Sequence, residues 1–184
     1  MRMYHNSFAQ AAEMLHRTLK DAESDRALLV QTLILLSFAR VNTGEYDRSL
    51  HNARQAVTLT AELGLPALGS QACAMWVTVN FMCGQGVDTP RLQRALELED
   101  RDADVPVPFG ASTVNALVLA WTGCLDEAHA QVSAVRNRCV ERAEYGHLMF
   151  IDIHSALIEV WRGDFTEAAH TAKEAIERAE QARR

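Results

Sequence analysis

Four glycines recur along the chain at nearly equal intervals. Gly44, Gly84, Gly123 and Gly163 are separated by 40, 39 and 40 residues. A fixed period of this size is typical of a solenoid, in which each repeat is one supersecondary unit stacked on the next. Glycine ends a helix readily because it adopts left-handed backbone angles without a Cβ clash. The period therefore predicts stacked helical hairpins, each with a turn glycine.

The residues around these glycines recur as well. Three of the four turns carry a bulky apolar residue two positions after the glycine and a small residue five positions after it. These positions hold Tyr46, Leu125 and Phe165, and Ser49, Ala128 and Ala168. A small residue also precedes each glycine by seven positions, at Ser37, Val77, Ala116 and Ala156. We expect the bulky residue to wedge beneath the turn and the small residues to let the paired helices approach closely.

Apolar residues at helical spacing fill the segments between the glycines. We predict an all-α chain with at least eight helices, no strand and about four and a half repeats of period about 40. The predicted boundaries are a half repeat at 4–22, with Asn6 in the glycine position, and repeats at 24–63, 66–98, 109–143 and 147–182. Ser24 is the expected N-cap of the first full repeat.

The predicted domain organisation is a single helical-repeat domain over residues 1–184. Because solenoids need capping elements and neither end shows one, we expect the chain to be part of a longer protein. The second repeat is irregular, since Gly86 occupies the bulky position and the Thr89–Pro90 pair delays its second helix. Residues 99–108 are acidic and contain prolines, which predicts an exposed loop and the one long connection.

Composition excludes several classes of function. The net charge of −6 argues against direct nucleic-acid contact, and we interpret Arg136, Arg138 and Arg142 as a solvated helix face. The longest apolar run, residues 33–36, is far too short to span a membrane. The four cysteines have no Cys-x-x-Cys spacing and lie in apolar segments, which indicates small core residues in a reduced, cytoplasmic protein.

Motifs that carry chemistry are missing from the sequence. There is no Gly-x-x-x-x-Gly-Lys-Ser/Thr, so no P-loop is expected. The closest histidine grouping, His147, Asp152 and His154, supplies too few ligands for a metal site, which needs three or four. We therefore expect no catalytic residues, no metal and no cofactor, and we predict that the protein is not an enzyme.

The Gly-x-aromatic-x-x-Ala turn, with a small residue seven positions earlier, resembles the tetratricopeptide repeat (TPR), although the period exceeds that family's 34 residues by about five. Longer two-helix repeats of the HEAT type are the structural competitor. The resemblance implies a TPR-like superhelix of antiparallel helix pairs.

Three segments, residues 117–128, 56–67 and 161–169, resemble the helical-repeat region of large LuxR-family transcriptional regulators of the maltose-activator-like, signal-transduction ATPase type. That resemblance implies a non-catalytic arm that binds an inducer or partner, flanked elsewhere by an ATPase and a helix-turn-helix. Repeat-bearing fusions of ATPases and cyclases would look nearly the same over this segment. A free-standing TPR adaptor that binds peptides or partner proteins is the alternative.

A concave groove lined by the first helices is the expected binding surface. Apolar residues recur there at fixed distances before the turn glycines, although such stripes are as often core. Trp121 and Trp161 are its expected floor. The predicted walls and polar orienting groups are Phe38, Phe81, Leu117 and Leu157, with Asn42 and Gln71. Such a groove would bind a protein partner or a small apolar inducer.

The terminal helices carry apolar residues that would face a further repeat. They are Phe8, Ala12 and Leu15 at one end, and Ala168, Ala172 and Ile176 at the other. We expect a weak homodimer through one of these ends at high concentration.

Overall fold

The computed structural model describes residues 2–22, 24–142 and 144–181, which form nine α-helices, one 3-10 helix and no β-strand. The first five helices are α1 (Arg2–Ala22), α2 (Arg26–Asn42), α3 (Tyr46–Leu63), α4 (Pro66–Met82) and α5 (Thr89–Leu98). After the 3-10 helix Val107–Phe109 come α6 (Ala111–Trp121), α7 (Leu125–Glu141), α8 (Tyr145–Arg162) and α9 (Phe165–Gln181). The predicted all-α fold is confirmed.

The chain divides into two compact units, residues 1–103 and 104–184. The first unit contains α1 to α5, in which consecutive helices pack on one another and α2 also packs on α4. In the second unit α6, α7, α8 and α9 pack consecutively, and the 3-10 helix contacts both α6 and α8. That residues 1–184 form a single domain stays a prediction.

The four periodic glycines occupy the turns predicted for them. Their φ angles lie between 75° and 87°, in the left-handed region. A Cβ built on any of the four would meet nothing within 4 Å. The requirement for glycine is therefore conformational rather than spatial, because an L-residue is strained at these angles whatever the room around it.

Small residues form the crossing point of each regular hairpin, as predicted. Ser37 of α2 and Ser49 of α3 are completely buried. Each serine Oγ donates to the backbone carbonyl of the other, at 2.8 and 2.7 Å. Ala116 and Ala128 take the same positions in the α6–α7 hairpin and are also fully buried. Larger side chains at these positions would force the two backbones apart.

The bulky residue does not wedge beneath the turn at Tyr46 or Phe165, so the prediction is wrong at these two positions, whereas Leu125 is half-buried. Tyr46 is 43% exposed and Phe165 is 67% exposed. Each begins the second helix of its hairpin and projects outward, because the crossing of small residues already brings the helices together and leaves no space below the turn.

Several predicted boundaries need correction. Asp25, not Ser24, caps α2, since its side chain accepts from the amides of Ala27 and Leu28. Asn6 lies inside the continuous helix α1, so no turn occurs there. The predicted ends at Ala143 and Ala182 lie outside the described residues.

The irregular second repeat is held by a polar contact that the turn pattern did not indicate. Asp88 caps α5 by accepting from the amide of Arg91, and it also accepts from the indole Nε1 of Trp76 at 2.9 Å. The guanidinium of Arg91 lies 4.5 Å from the Trp76 ring centroid. This arrangement fixes α5 against α4 without a bulky residue at the turn.

The long connection between α5 and α6 is only partly an exposed loop. Its first part is surface-exposed at Asp100, Arg101 and Asp102, as predicted. Its last part turns inward, because Val107 and Phe109 of the 3-10 helix are only 5% and 6% exposed. Val107 joins the core of the second unit with residues of α6, α7 and α8.

The predicted exposed face of the first helix is in fact packed. Ala12 is buried, Leu15 is half-buried in the same cluster with Leu36 of α2, and the Phe8 ring meets Phe38 edge to face at 5.8 Å. At the other end Ala168 is buried whereas Ile176 is 60% exposed. Of the residues expected to face a further repeat, the large apolar one that is exposed therefore lies on α9. The homodimer stays a prediction.

The buried crossings predict a specific sensitivity to side-chain size. Ala128→Leu should destabilise the fold by about 1–3 kcal/mol, because the extra atoms must separate α6 from α7. Ala130→Leu on the exposed side of the same helix should change the free energy of unfolding by less than about 0.5 kcal/mol. Urea denaturation followed by circular dichroism measures both, and equal costs would contradict the crossing model.

Candidate partner-binding surface

Helix α8 has two chemically distinct faces. Leu148, Ile151 and Ile158 are no more than 1% exposed and pack in the core with residues of α6 and α7. Their spacing of three and seven residues places them on one side of the helix. The opposite side carries large apolar residues that remain in contact with solvent, and this is the face that could bind another molecule.

We call this exposed face the α8 stripe, which consists of Met149, Ile153, Leu157, Val160 and Trp161. Each of its side chains is between 43% and 52% exposed. Spacings of four, four, three and four residues from one helical turn to the next keep them in one row. Contiguous exposed apolar rows of this kind are uncommon on soluble proteins and mark interaction sites.

A polar cavity adjoins the Trp161 end of the stripe. It has a volume of about 390 Å³ and lies between the Gly123 turn and the C-terminal end of α8. Arg162 pairs with Asp126 at 3.1 Å and with Asp164 at 3.2 Å, and Glu127 also lines the cavity. Carboxylates therefore outnumber cations at this end of the stripe.

Ion pairs hold the buried side of α8. Asp152 is fully buried and accepts from Arg136 of α7 at 2.8 Å and from Arg178 of α9 at 2.7 Å. Glu174 accepts from the same two arginines, at 2.6 and 3.4 Å. The prediction of a solvated face is therefore wrong for Arg136. Arg138 is also half-buried, whereas Arg142 is exposed. The network joins α7, α8 and α9.

The four predicted groove residues of the second unit separate into different environments. Leu157 and Trp161 belong to the α8 stripe. Trp121, at the end of α6, is half-buried, and Leu117 is only 6% exposed and lies in the core. That Leu117 and Leu157 line one groove stays a prediction.

The other four predicted groove residues lie in the first unit. Phe38 and Phe81 are half-buried. Asn42 donates to the carbonyl of Phe38 at 2.8 Å, and Gln71 donates to that of Ala67 at 3.4 Å. Both amides thus bond to their own helix. That these residues share a groove with the tryptophans stays a prediction.

The predicted groove residues omit three members of the α8 stripe, of which Val160 lies within six residues of Gly163 and Met149 and Ile153 do not. Met149 and Ile153 precede Leu157 by eight and four residues, so the helical period already placed them on its face. The predicted stripes extend only six residues back from each turn glycine and therefore do not reach Met149 or Ile153.

The described histidines and cysteines differ in burial and in the contacts they make. His154 is half-buried, and burial lowers its pKa although a bond to the Phe150 carbonyl opposes the shift. Among the described residues no three His, Cys, Asp or Glu side chains cluster as metal ligands. All four cysteines are free, but only Cys73 and Cys139 are buried, so the prediction of four core cysteines is wrong for Cys83 and Cys124.

In the described part of the chain, no helix combines the length and hydrophobicity needed to cross a bilayer.

The buried position of Asp152 predicts a large cost for its removal. Asp152→Ala should lower the free energy of unfolding by about 2–4 kcal/mol, because two partly buried guanidinium groups lose their charged acceptor. Glu177→Ala removes the exposed 3.9 Å pair with Lys173 and should cost no more than about 0.5 kcal/mol. Chemical denaturation measures the difference, and equal effects would refute the structural role of the network.

The same network predicts a pH dependence. Burial alone would raise the pKa of Glu174, but Arg136 and Arg178 outweigh it and hold that pKa below its ordinary value of 4.5. A lowered folded pKa means that the stabilisation is present above pH 4.5 and is lost as the pH falls through the folded pKa. Glu174→Gln should therefore be less stable than the parent at pH 7, with a gap that shrinks in acid. A gap that stays constant down to pH 3 would contradict this, and Glu177→Gln is the matched control.

Comparison with known proteins gives a likeness of fold. The sequence matches no protein-family model and no curated protein. Among solved structures it is similar to a Podosopora anserina protein named for the kinesin light chain, with nearly identical TPR-like repeats. The two share 14% identity with a TM-score of 0.61, over 100% of this chain and 93% of the other. This likeness shows that the chain has a TPR-like helical-repeat fold.

Proposed function

We propose that this chain is a non-catalytic protein-interaction module whose α8 stripe binds the apolar face of a partner helix. The observation that carries the proposal is the row of five large apolar side chains exposed on one helix of a TPR-like fold. Stacked helical repeats are typically scaffolds that present extended surfaces to other proteins. A helix lying along α8 would bury this row through its own residues at spacings of three and four.

The charge around Trp161 specifies the partner further. Asp126, Glu127 and Asp164 surround the adjoining cavity, and Arg162 is the cation among the described residues that line it. A partner with a Lys or Arg beyond the end of its apolar face would complement these carboxylates. We therefore propose an amphipathic partner helix with a basic end.

Within this role, we propose that the module is the sensor arm of a LuxR-family transcriptional regulator. The resemblance of residues 56–67, 117–128 and 161–169 to such arms supports the proposal. A free-standing TPR adaptor is the alternative. The genomic reading frame separates the two, because the regulator requires coding sequence for an ATPase and a helix-turn-helix in the same frame.

The partner surface can be tested by site-specific crosslinking in the native host. A photoreactive amino acid at Ile153 should crosslink one partner, whereas the same group at Phe165, which is exposed outside the stripe, should not. With the identified partner, Trp161→Ala should weaken binding by about 30-fold, equivalent to about 2 kcal/mol. Phe165→Ala should leave the affinity unchanged.

Three outcomes would contradict the proposal. Equal crosslinking from both positions would show that the stripe is not selective. Crosslinks between two copies of this chain would identify a homodimer instead of a heterologous partner. A loss of folding in Trp161→Ala would show that the ring is part of the core, although its 49% exposure predicts a folded variant.

A further inference from the structure

A second candidate site lies in the first unit, apart from the α8 stripe. An open cavity of about 370 Å³ lies between α3, α4 and α5. Its walls are mostly apolar, and Val57, Leu65 and Leu98 are among the residues that line it. Pockets of about 300–1,000 Å³ with apolar walls and a few polar groups are the usual sites for small molecules.

Gly69 forms part of the cavity wall. It lies in the first turn of α4, is buried, and lines the cavity. A Cβ at this position would approach Leu98 Cδ1 to 3.3 Å, which is a tight contact. Glycine inside a helix costs about 0.5–1 kcal/mol relative to alanine. The structure thus retains an unfavourable helix residue where a side chain would crowd the cavity wall.

Two arginines of α5 line the cavity. Arg91 is positioned by Asp88, which its Nε approaches at 3.2 Å, and by stacking on Trp76. Arg94 makes a 3.4 Å contact with Glu97, and both side chains of that pair are more than half exposed. A surface pair of this length holds an arginine only weakly. Because a guanidinium has five N–H donors, Arg94 can bind an additional acceptor.

Among the described residues no carboxylate lines the cavity itself, although the chain as a whole has a net charge of −6. Asp88 and Glu97 pair with Arg91 and Arg94 from outside the lining. Burial raises the pKa of Cys73, and the nearby Arg91 and Arg94 oppose that shift only in part. The thiol is therefore protonated at neutral pH and behaves as part of the apolar wall.

The cavity between α7, α8 and α9 of the second unit shows the opposite chemistry. Its volume is about 280 Å³, and it is lined by Glu159, Glu167 and Glu174. Its arginine, Arg136, is already held by Asp152 and Glu174. The excess of carboxylates and the paired guanidinium of Arg136 make that cavity unfavourable for anions. Of the two cavities, the one between α3, α4 and α5 therefore combines apolar walls with arginine donors.

We propose that the α3–α5 cavity binds a medium-chain carboxylate, with its alkyl chain against Val57, Leu65 and Leu98 and its carboxylate on Arg94, assisted by Arg91. The apolar wall supplies affinity for the chain, and the planar guanidinium matches the two carboxylate oxygens. The site is independent of the α8 stripe, so ligand and partner helix are bound by different units.

Isothermal titration calorimetry with sodium decanoate, below its micelle concentration and with the full chain, tests the proposal. Saturable binding of one decanoate per chain is expected, and decanol should bind at least about tenfold more weakly because it offers no charged acceptor. Arg94→Gln should weaken decanoate to about the level of decanol. Arg54→Gln is the matched control, since Arg54 also lies over Trp76, at 5.3 Å, but does not line the cavity.

A second variant tests the location. Ala61 lines the cavity and is exposed, so Ala61→Trp should block the cavity without disturbing the core and should abolish decanoate binding. Circular dichroism checks that each variant is folded. If Ala61→Trp does not fold, the decanoate affinity of Arg94→Gln tests the proposal instead. Absence of saturable binding, equal affinity for decanol, or equal weakening by Arg54→Gln would each overturn the proposal.

Discussion

The close approach of paired helices at small residues is the constraint on which the repeats depend. Ser37 and Ser49 touch through mutual side-chain to backbone hydrogen bonds, and Ala116 and Ala128 are fully buried in the α6–α7 hairpin. Once the backbones meet there, the turn must close within a few residues, which requires a left-handed glycine. In these two hairpins the turn glycine accompanies the crossing, whereas Gly84 keeps a left-handed φ of 75° in a hairpin that lacks it.

The second hairpin shows what happens when this constraint is relaxed. No small residue pairs with Val77 after Gly84, and α5 begins only at Thr89. A hydrogen bond from Trp76 to Asp88, the stacked Arg91 guanidinium and a buried hydrogen bond from Ser70 Oγ to the Ala95 carbonyl at 2.8 Å hold α5 on α4 instead. The cavity lined by α3, α4 and α5 lies beside this irregular hairpin.

Features that depend on local periodicity could be predicted from the sequence. The burial of a side chain could not, because it depends on residues that are distant in the sequence. The predicted end of the second repeat at Leu98 is the observed end of α5, and the turn glycines have the expected angles. Helical spacing does not reveal which neighbour covers a face. Leu117 and Leu157 share a register position, yet Leu117 is buried and Leu157 is 43% exposed.

Charged residues were misread for a related reason. The residues around Arg136 in the sequence do not distinguish it from a solvated arginine. Its acceptor Asp152 lies 16 residues away on another helix. A carboxylate so deeply buried is stable only with such partners, but nothing in a single sequence pairs the two. The candidate site was therefore predicted only in part: Trp161 and Leu157 are on the exposed stripe, whereas the ionic contacts that hold α8 were not foreseen.

The energetics of the α8 stripe explain why its acidic end matters. Complete burial of a large apolar side chain is worth about 1.5–3 kcal/mol, and each member of the stripe is already about half buried. A partner helix would thus gain roughly 5 kcal/mol from the whole row. Association itself costs an estimated 4–15 kcal/mol, so the row alone supports only weak binding. Complementary charge around Asp126 and Glu127 adds specificity and speeds association. The ionic network on the opposite face fixes the helix before binding, which spares the complex the cost of ordering it.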